Sequence, residues 1–156
     1  MRTTEPFVPI PEDAIPEMLE LASVRPGETV VDMGSGDGRI VIAAAKQFGA
    51  TAIGVEVRGG LVRESRRRAR ELGLSGRARI IHGRFRDFSL RRADVLALYL
   101  SSYTLGLLAP KFKRELRKGS RIVTFDFPVF GWQPAAEVSF TPKRWRKAHP
   151  IYLYMV

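Results

Sequence analysis

The chain has 156 residues, 45% of them hydrophobic, which suits one domain with a real core and leaves little room for a second. It has no cysteine, so disulfides, cysteine nucleophiles and thiolate metal sites are excluded, and its two histidines, His82 and His149, cannot build a zinc site by themselves. The net charge of +10 draws in nucleic acid, anionic membrane or acidic protein and says nothing of the fold.

In chain order, Met1 to Glu12 lacks the apolar core of a signal peptide, and no apolar run nears the roughly 20 residues of a membrane span. A soluble, unexported, cytoplasmic monomer is expected. Glu12 to Val24 reads as the first helix, with Ile15, Met18, Leu19 and Ala22 at helical spacing and Arg25-Pro26-Gly27 as its stop. Thr29 to Met33 is a buried strand. Arg39 to Phe48 is a helix stopped by Gly49. Thr51 to Val57 is the second strand and Arg58 to Leu72 the helix after it. Ala78 to His82 and Asp94 to Leu100 are the third and fourth strands. His82 ends an apolar run and reads as a satisfied structural histidine. Ser102 to Lys118 is helical, with Pro110 expected to break or restart it. Arg121 to Phe127 is the fifth strand. A Pro/Gly-rich link, Pro128 to Ala135, has no room for a helix, and Glu137 to Phe140 with Ile151 to Val156 form a closing hairpin.

Seven strands, the first five joined by helical crossovers, predict an α/β fold: one domain over 1–156 with a doubly wound, mostly parallel sheet and an antiparallel C-terminal hairpin. Residues 1–24 would form an N-terminal lid and helix, and 25–156 the core. In such sheets the ligand sits beyond the carboxyl ends of the strands, at the switch point.

The segment Asp32-Met33-Gly34-Ser35-Gly36-Asp37-Gly38 follows a strand and opens a helix, whose free N–H groups favour a negative group. Glycines let the backbone turn sharply and approach a ligand closely. The spacing is not the dinucleotide pattern, which needs a glycine where Arg39 stands. Glu56 ends the second strand about 20 residues on, where an acid accepts the ribose hydroxyls of a nucleoside cofactor. Asp32 and Asp37 would repel a pyrophosphate but suit the cationic amino-acid end of S-adenosylmethionine (AdoMet). Charge thus favours a sulfonium cofactor, with S-adenosyl-L-homocysteine as product. The plainer reading makes Asp32 a loop cap and Glu56 a surface acid.

Val30-Val31-Asp32-Met33-Gly34-Ser35-Gly36-Asp37-Gly38-Arg39 resembles motif I of the class I, seven-strand AdoMet-dependent methyltransferases, and Glu56 their second motif. A narrower likeness rests on Pro6-Phe7-Val8-Pro9, on Tyr99-Leu100-Ser101 at the end of the fourth strand, on Asp126-Phe127 at the end of the fifth, and on Gly131-Trp132. That set resembles the small archaeal protein-lysine methyltransferases, which are similar to the mitochondrial lysine methyltransferases and to the Dot1 core. The resemblance implies methylation of protein lysines with broad specificity. It implies a cofactor site of Val8, Asp32, Gly34, Ser35, Gly36, Asp37, Gly38, Glu56, Val57, Gly83, Arg84, Phe85 and Tyr99, with Phe7 and Val8 as a lid. The chain departs from the family at Arg84, where an acid usually meets the adenine amine; Phe85 remains to pack on the ring and Asp87 to substitute for the acid. It departs again at Ile10, usually a hydroxyl residue, and at Tyr103, usually a polar amide.

Methyl transfer from sulfur is an in-line displacement, so alignment supplies most of the acceleration. A lysine acceptor must first lose a proton from an amine of pKa about 10.4. A narrow apolar channel favours that loss, and aromatic walls hold the cation beforehand. On the resemblance, Tyr99, Ser101, Asp126, Phe127 and Trp132 line this channel, Asp126 orienting the amine and Tyr99 shaping the walls. The alternative places Tyr99 and Phe127 in the core and makes Trp132 a loop anchor. No dedicated general base is expected, and no metal.

Basic residues crowd three places: Arg63, Arg66, Arg67, Arg68 and Arg70; Lys111, Lys113, Arg114, Arg117 and Lys118; and Lys143, Arg144, Arg146 and Lys147 around Trp145. They are either solvated faces or a phosphate-binding surface. Trp145 either stacks on a base or packs at the surface. The expected partners are proteins with exposed lysines, chromatin or ribosomal proteins among them, and nucleic acid, with no membrane. Two other functions stay open: an RNA or DNA methyltransferase, and a non-catalytic AdoMet- or nucleic-acid-binding module. The Asn/Asp-Pro-Pro-Tyr/Phe of base-amine enzymes is missing after the fourth strand, which reads Leu98-Tyr99-Leu100-Ser101. Absence of asparagine, glutamine only at Gln47 and Gln133, and arginine in excess of lysine are thermophile tendencies.

Overall fold

The structure, a computed structural model, describes residues 6–156. Its elements run α1 (Ala14–Leu21), β1 (Thr29–Met33), α2 (Arg39–Phe48), β2 (Thr51–Glu56), α3 (Gly59–Glu71), β3 (Ala78–His82), β4 (Val95–Leu98), α4 (Ser102–Glu115), β5 (Arg121–Phe125), β6 (Ala136–Phe140) and β7 (His149–Met155). They form one sheet in the order β3-β2-β1-β4-β5-β7-β6. The first five strands are parallel, and β7 lies antiparallel between β5 and β6. β1 pairs with β2 on one side and β4 on the other, which sets the switch point at its carboxyl end.

The helices are unevenly shared between the two faces. Ile15, Met18 and Leu19 of α1, Val41 and Ala44 of α2, and Val62 and Ala69 of α3 share one core with Ala78, Ile80 and Val95 of the sheet. The other core holds Leu105, Leu108 and Phe112 of α4 against Val31, Leu96 and Ile122. The imbalance comes from the connections. The sequence reading expects a helix in every crossover up to β5, but β3 reaches β4 through a single 3₁₀ turn, Phe85–Asp87. The segment 83–94 is too short for a crossover helix, since β3 starts the return from the sheet edge to the centre and most of those residues are spent on the distance.

Pro110 does not break α4, which runs from Ser102 through Glu115. A helical proline costs roughly 3 kcal/mol. Leu105 and Leu108 before it and Phe112 after it are buried against the same face, so packing on both sides of Pro110 keeps one axis. Several predicted ends also shorten, β4 to Leu98 and α4 to Glu115 among them. α1 stops at Leu21 because Ser23 adopts a left-handed backbone, φ 54°. β5 stops at Phe125 because Asp126 does the same, φ 72°. No helix among the described residues is long and apolar enough to cross a membrane.

Candidate active site

The β1–α2 loop is pinned to β2 by its own backbone. The N–H groups of Gly34 and Ser35 both donate to the Val55 carbonyl, at 2.8 and 3.0 Å. Gly36 donates to Glu56 Oε1 at 3.0 Å, and Arg58 N donates to Oε2 at 2.8 Å. Glu56 therefore stands fixed at the strand end, each oxygen keeping a lone pair for a further donor. From α3, the Ser65 hydroxyl shares its one hydrogen between the Leu61 carbonyl at 2.6 Å and the Gly36 carbonyl at 3.1 Å. Gly36 has φ 58°, and a Cβ there would sit 2.4 Å from the Phe7 ring. Only glycine lets the N-terminal segment lie this close on the loop. Arg39 Nη1 ties that segment down further, donating to the Ile10 carbonyl at 2.9 Å.

The two loop acids do different work. Asp32 is 4% exposed, and burial pushes its carboxyl well above the usual range, with the charges of Glu56 and Asp37 adding to the effect. No cation among the described residues offsets it. Burial alone would raise Asp37 too, but the hydrogen bonds and charge of Arg39, helped by Arg68, hold it below its ordinary value. Arg39 Nη2 reaches Asp37 Oδ2 at 2.7 Å. Asp37 is thus partly neutralised by Arg39, whereas Asp32 forms no ion pair among the described residues.

These parts border a cleft of about 700 Å³ at the carboxyl ends of β1, β2 and β4. Val8, Asp32, Gly34, Ser35, Gly36, Asp37, Glu56, Val57, Arg84, Phe85 and Tyr99 all line it, together with Phe7. Gly38 and Gly83 stand behind the wall: Gly38 caps α2 in a left-handed conformation, and Gly83 N donates to the Glu56 carbonyl at 3.0 Å. Ser35 contributes backbone rather than hydroxyl, since its buried Oγ has no partner and would be 2.5 Å from a Cβ at Gly54. Asp87 is exposed and lies outside the lining, whereas Arg58, Arg84 and Arg86 belong to it. The acid expected to substitute for Arg84 is therefore not at the cleft. A buried, unpaired acid at one end and a fixed carboxylate on the second strand fit the ammonium and ribose of AdoMet. That cofactor would be held by Asp32, Glu56 and the loop glycines, and it supplies an electrophilic methyl group on sulfonium sulfur.

Tyr99 lines the cleft and also belongs to an aromatic group whose other members lie outside the lining. The Tyr99 ring meets Phe125 edge-on at 5.5 Å and stacks with Phe127 at 6.4 Å. Burial raises the Tyr99 hydroxyl above its ordinary value, and the Asp126 charge adds to the shift. Asp126 N donates to the Pro150 carbonyl at 2.8 Å, and its Oδ1 lies 2.5 Å from His149 Nδ1. An ionised carboxylate only accepts, so Nδ1 is the donor in this pair. The imidazole packs on Phe125 at 5.9 Å and on Trp145 at 4.5 Å.

This group differs from the expected one: Trp132 and Ser101 are outside it, and Phe125, Trp145 and His149 join it. Trp132 is elsewhere: it packs edge-on to Phe112 at 6.5 Å and Tyr154 at 6.2 Å, on the α4 side of the sheet. Trp145 takes the aromatic place, packed on Phe125 and His149. Ser101 caps α4, its Oγ accepting from Thr104 N at 3.2 Å. His149, unassigned in the sequence, joins Asp126 because β7 pairs antiparallel with β5, Phe125 opposite Ile151. Without that register nothing marks it. His82, by contrast, is satisfied locally, with Nε2 3.0 Å from the Val57 carbonyl.

The family described as the ANTKMT methyltransferase domain matches residues 32–136. A protein-lysine N-methyltransferase of Saccharolobus islandicus (strain REY15A) is 36% identical, over 97% of this chain and 93% of its own length. An adenine nucleotide translocase lysine N-methyltransferase of Mus musculus is also 36% identical, over 88% of this chain, which spans 60% of that longer protein. Among solved structures, an RNA methyltransferase from Salinibacter ruber in complex with S-adenosyl-L-homocysteine superposes with a TM-score of 0.89 at 32% identity, covering 96% of this chain and 94% of its own.

Proposed function

Since the chain belongs to the ANTKMT methyltransferase domain family and is an AdoMet-dependent methyltransferase, we propose that its acceptor is the side-chain amine of lysine in proteins. One observation carries the reading: an acid, Asp126, stands in an aromatic group that begins at the cleft wall with Tyr99. A lysine ammonium is held by aromatic faces and by a carboxylate, then made reactive by losing both water and a proton.

The chain's own residues divide that task. Asp32 and Glu56 fix the cofactor's two polar ends, and Tyr99 stands between the cofactor and the acceptor channel. Phe127 and Trp145 exclude water around the amine. Asp126, with Oδ1 taken by His149, offers Oδ2 to the ammonium. His149, bonded to Asp126 through Nδ1, fixes the orientation of that carboxylate. The left-handed backbone of Asp126 supports this, because a non-glycine residue at φ 72° stores strain that concentrates at functional sites.

The test is transfer of labelled methyl from AdoMet to a methyl-poor extract, with samples treated by protease or nuclease. Label that survives nuclease, disappears with protease and maps to lysine is expected. A second reading, nucleic acid as acceptor, is favoured by the arginine content, and label lost with nuclease would establish it in place of lysine.

A further inference from the structure

The chain's charge is not spread over its surface. Residues 58–92 hold twelve arginines, no lysine and three acids, a net +9 of the total +10. Ten of the twelve are exposed. The other two basic groups of the sequence are unlike this one. On α4, Lys111 and Arg114 pair with Glu115, and just beyond the helix Arg117 pairs with Asp94. The third group, 143–147, holds only four cations.

The fold gathers this arginine run at one edge of the sheet. α3 covers one face of β2 and β3, and its Arg63, Arg67 and Arg70 are exposed. Arg79 lies between the buried Ala78 and Ile80 and so points to the opposite face. That face has no helix, because β3 returns to β4 through only a 3₁₀ turn. β3 is itself the edge strand, so the cations wrap an edge on both sides rather than paving one plane. Arg63, Arg70, Arg77 and Arg79 form no ion pair among the described residues. Like charges at helical spacing i, i+4 repel, as at Arg63 and Arg67 or Arg66 and Arg70.

The chemistry of the edge selects its partner. Leu72 is the one large hydrophobic exposed on residues 58–92, and no Phe, Tyr or Trp is exposed there. A protein partner would find no apolar or aromatic anchor, and a membrane no residue to insert. With no Phe, Tyr or Trp fully exposed there, the edge offers single-stranded bases no large ring to stack on. Arginine without lysine is matched to phosphate, which its guanidinium engages through two parallel hydrogen bonds. We propose that the arginine-lined β3 edge is a docking surface for the phosphate backbone of duplex nucleic acid, bound without regard to sequence. Arg58, Arg84 and Arg86 line the cleft, so the docked duplex approaches its adenosine end. This does not depend on the identity of the methyl acceptor.

The experiment measures fluorescence anisotropy of labelled duplex DNA, duplex RNA and single-stranded RNA across a salt series, in the absence of AdoMet. The protein should bind duplexes with a steep salt dependence. The variant R63Q/R70Q/R77Q/R79Q should reduce the slope of log K against log salt by about 3 and weaken binding by roughly 100-fold near 100 mM salt. The variant K143Q/R144Q/R146Q/K147Q removes the same charge and should change the slope by less than 1. Melting temperature and AdoMet affinity, read by calorimetry, check that both variants are folded. If the first fails to fold, R63Q/R70Q carries the test with about half the expected slope change. The DNA and RNA duplex arms identify which nucleic acid is preferred. Equal losses in the two quadruple variants, a preference for single strands, or no duplex binding near 100 mM salt would overturn the proposal.

Discussion

The glycine-loop cleft and the proposed acceptor group are built by opposite means. In the cleft, Asp32, the glycines and Glu56 fall within 25 consecutive residues on one strand-loop-helix-strand unit, and the loop is fixed by backbone hydrogen bonds to the neighbouring strand. The residues proposed to meet the acceptor, Tyr99, Asp126, Trp145 and His149, come from separate segments and meet only through the pairing of β5 with β7. A local site is written in residue spacing. A nonlocal site is written in register, and register is invisible until the sheet forms.

The sharpest way to separate the two is Asp126→Asn. It keeps shape but removes the charge that meets the ammonium, so kcat should fall about 100- to 1000-fold while the AdoMet Kd stays within roughly twofold. Steady-state kinetics beside calorimetry measure both, and a loss confined to cofactor affinity would erase the distinction between cleft and acceptor group. The mirror experiment is Glu56→Ala. It frees the Gly36 and Arg58 N–H groups and removes the acceptor for the ribose, at about 3 kcal/mol, or roughly 100-fold in AdoMet Kd.

Asp32 gives a pH signature. Its carboxyl is raised by burial, so the apo protein favours the protonated form, whereas a cationic cofactor favours the ionised one. AdoMet binding should therefore release up to one proton and weaken about tenfold per pH unit below the raised value. Calorimetry in buffers of different ionisation enthalpy reads the release. The stability term has the opposite sign: a raised carboxyl contributes most at acid pH, and that contribution is lost as pH rises through the folded-state value. Glu28, lowered chiefly by its hydrogen bond to Arg121, contributes above its unfolded value and loses that contribution on acidification. Asp32→Asn should thus abolish tight AdoMet binding yet raise the apo melting temperature near neutral pH, by about 3 °C for each kcal/mol relieved.

The smallest expected effect is at Trp132. Because it packs on Phe112 and Tyr154 rather than at the cleft, Trp132→Phe should cost roughly 1 kcal/mol of stability and leave kcat and KM unchanged. Trp145→Phe should do the reverse and raise KM for protein acceptors several-fold through the His149 contact.

The sequence by itself determined every strand and every α-helix, with α2 placed over the same Arg39–Phe48, because short apolar runs and helical periodicity are local and strong. It also determined the glycine loop and Glu56, because a tight turn on a strand end needs residue types that few other structures need. It misread Pro110, where burial of Leu105, Leu108 and Phe112 overrides an intrinsic helix breaker, and it supplied a β3–β4 helix that the chain has no length to make. Tertiary structure alone decided that Asp37 spends its charge on Arg39, that Trp145 rather than Trp132 joins the aromatic group, and that His149 stands beside Asp126. Each of those contacts joins side chains whose meeting depends on rotamer and strand register. Energies of that kind exist only after the sheet has chosen its order.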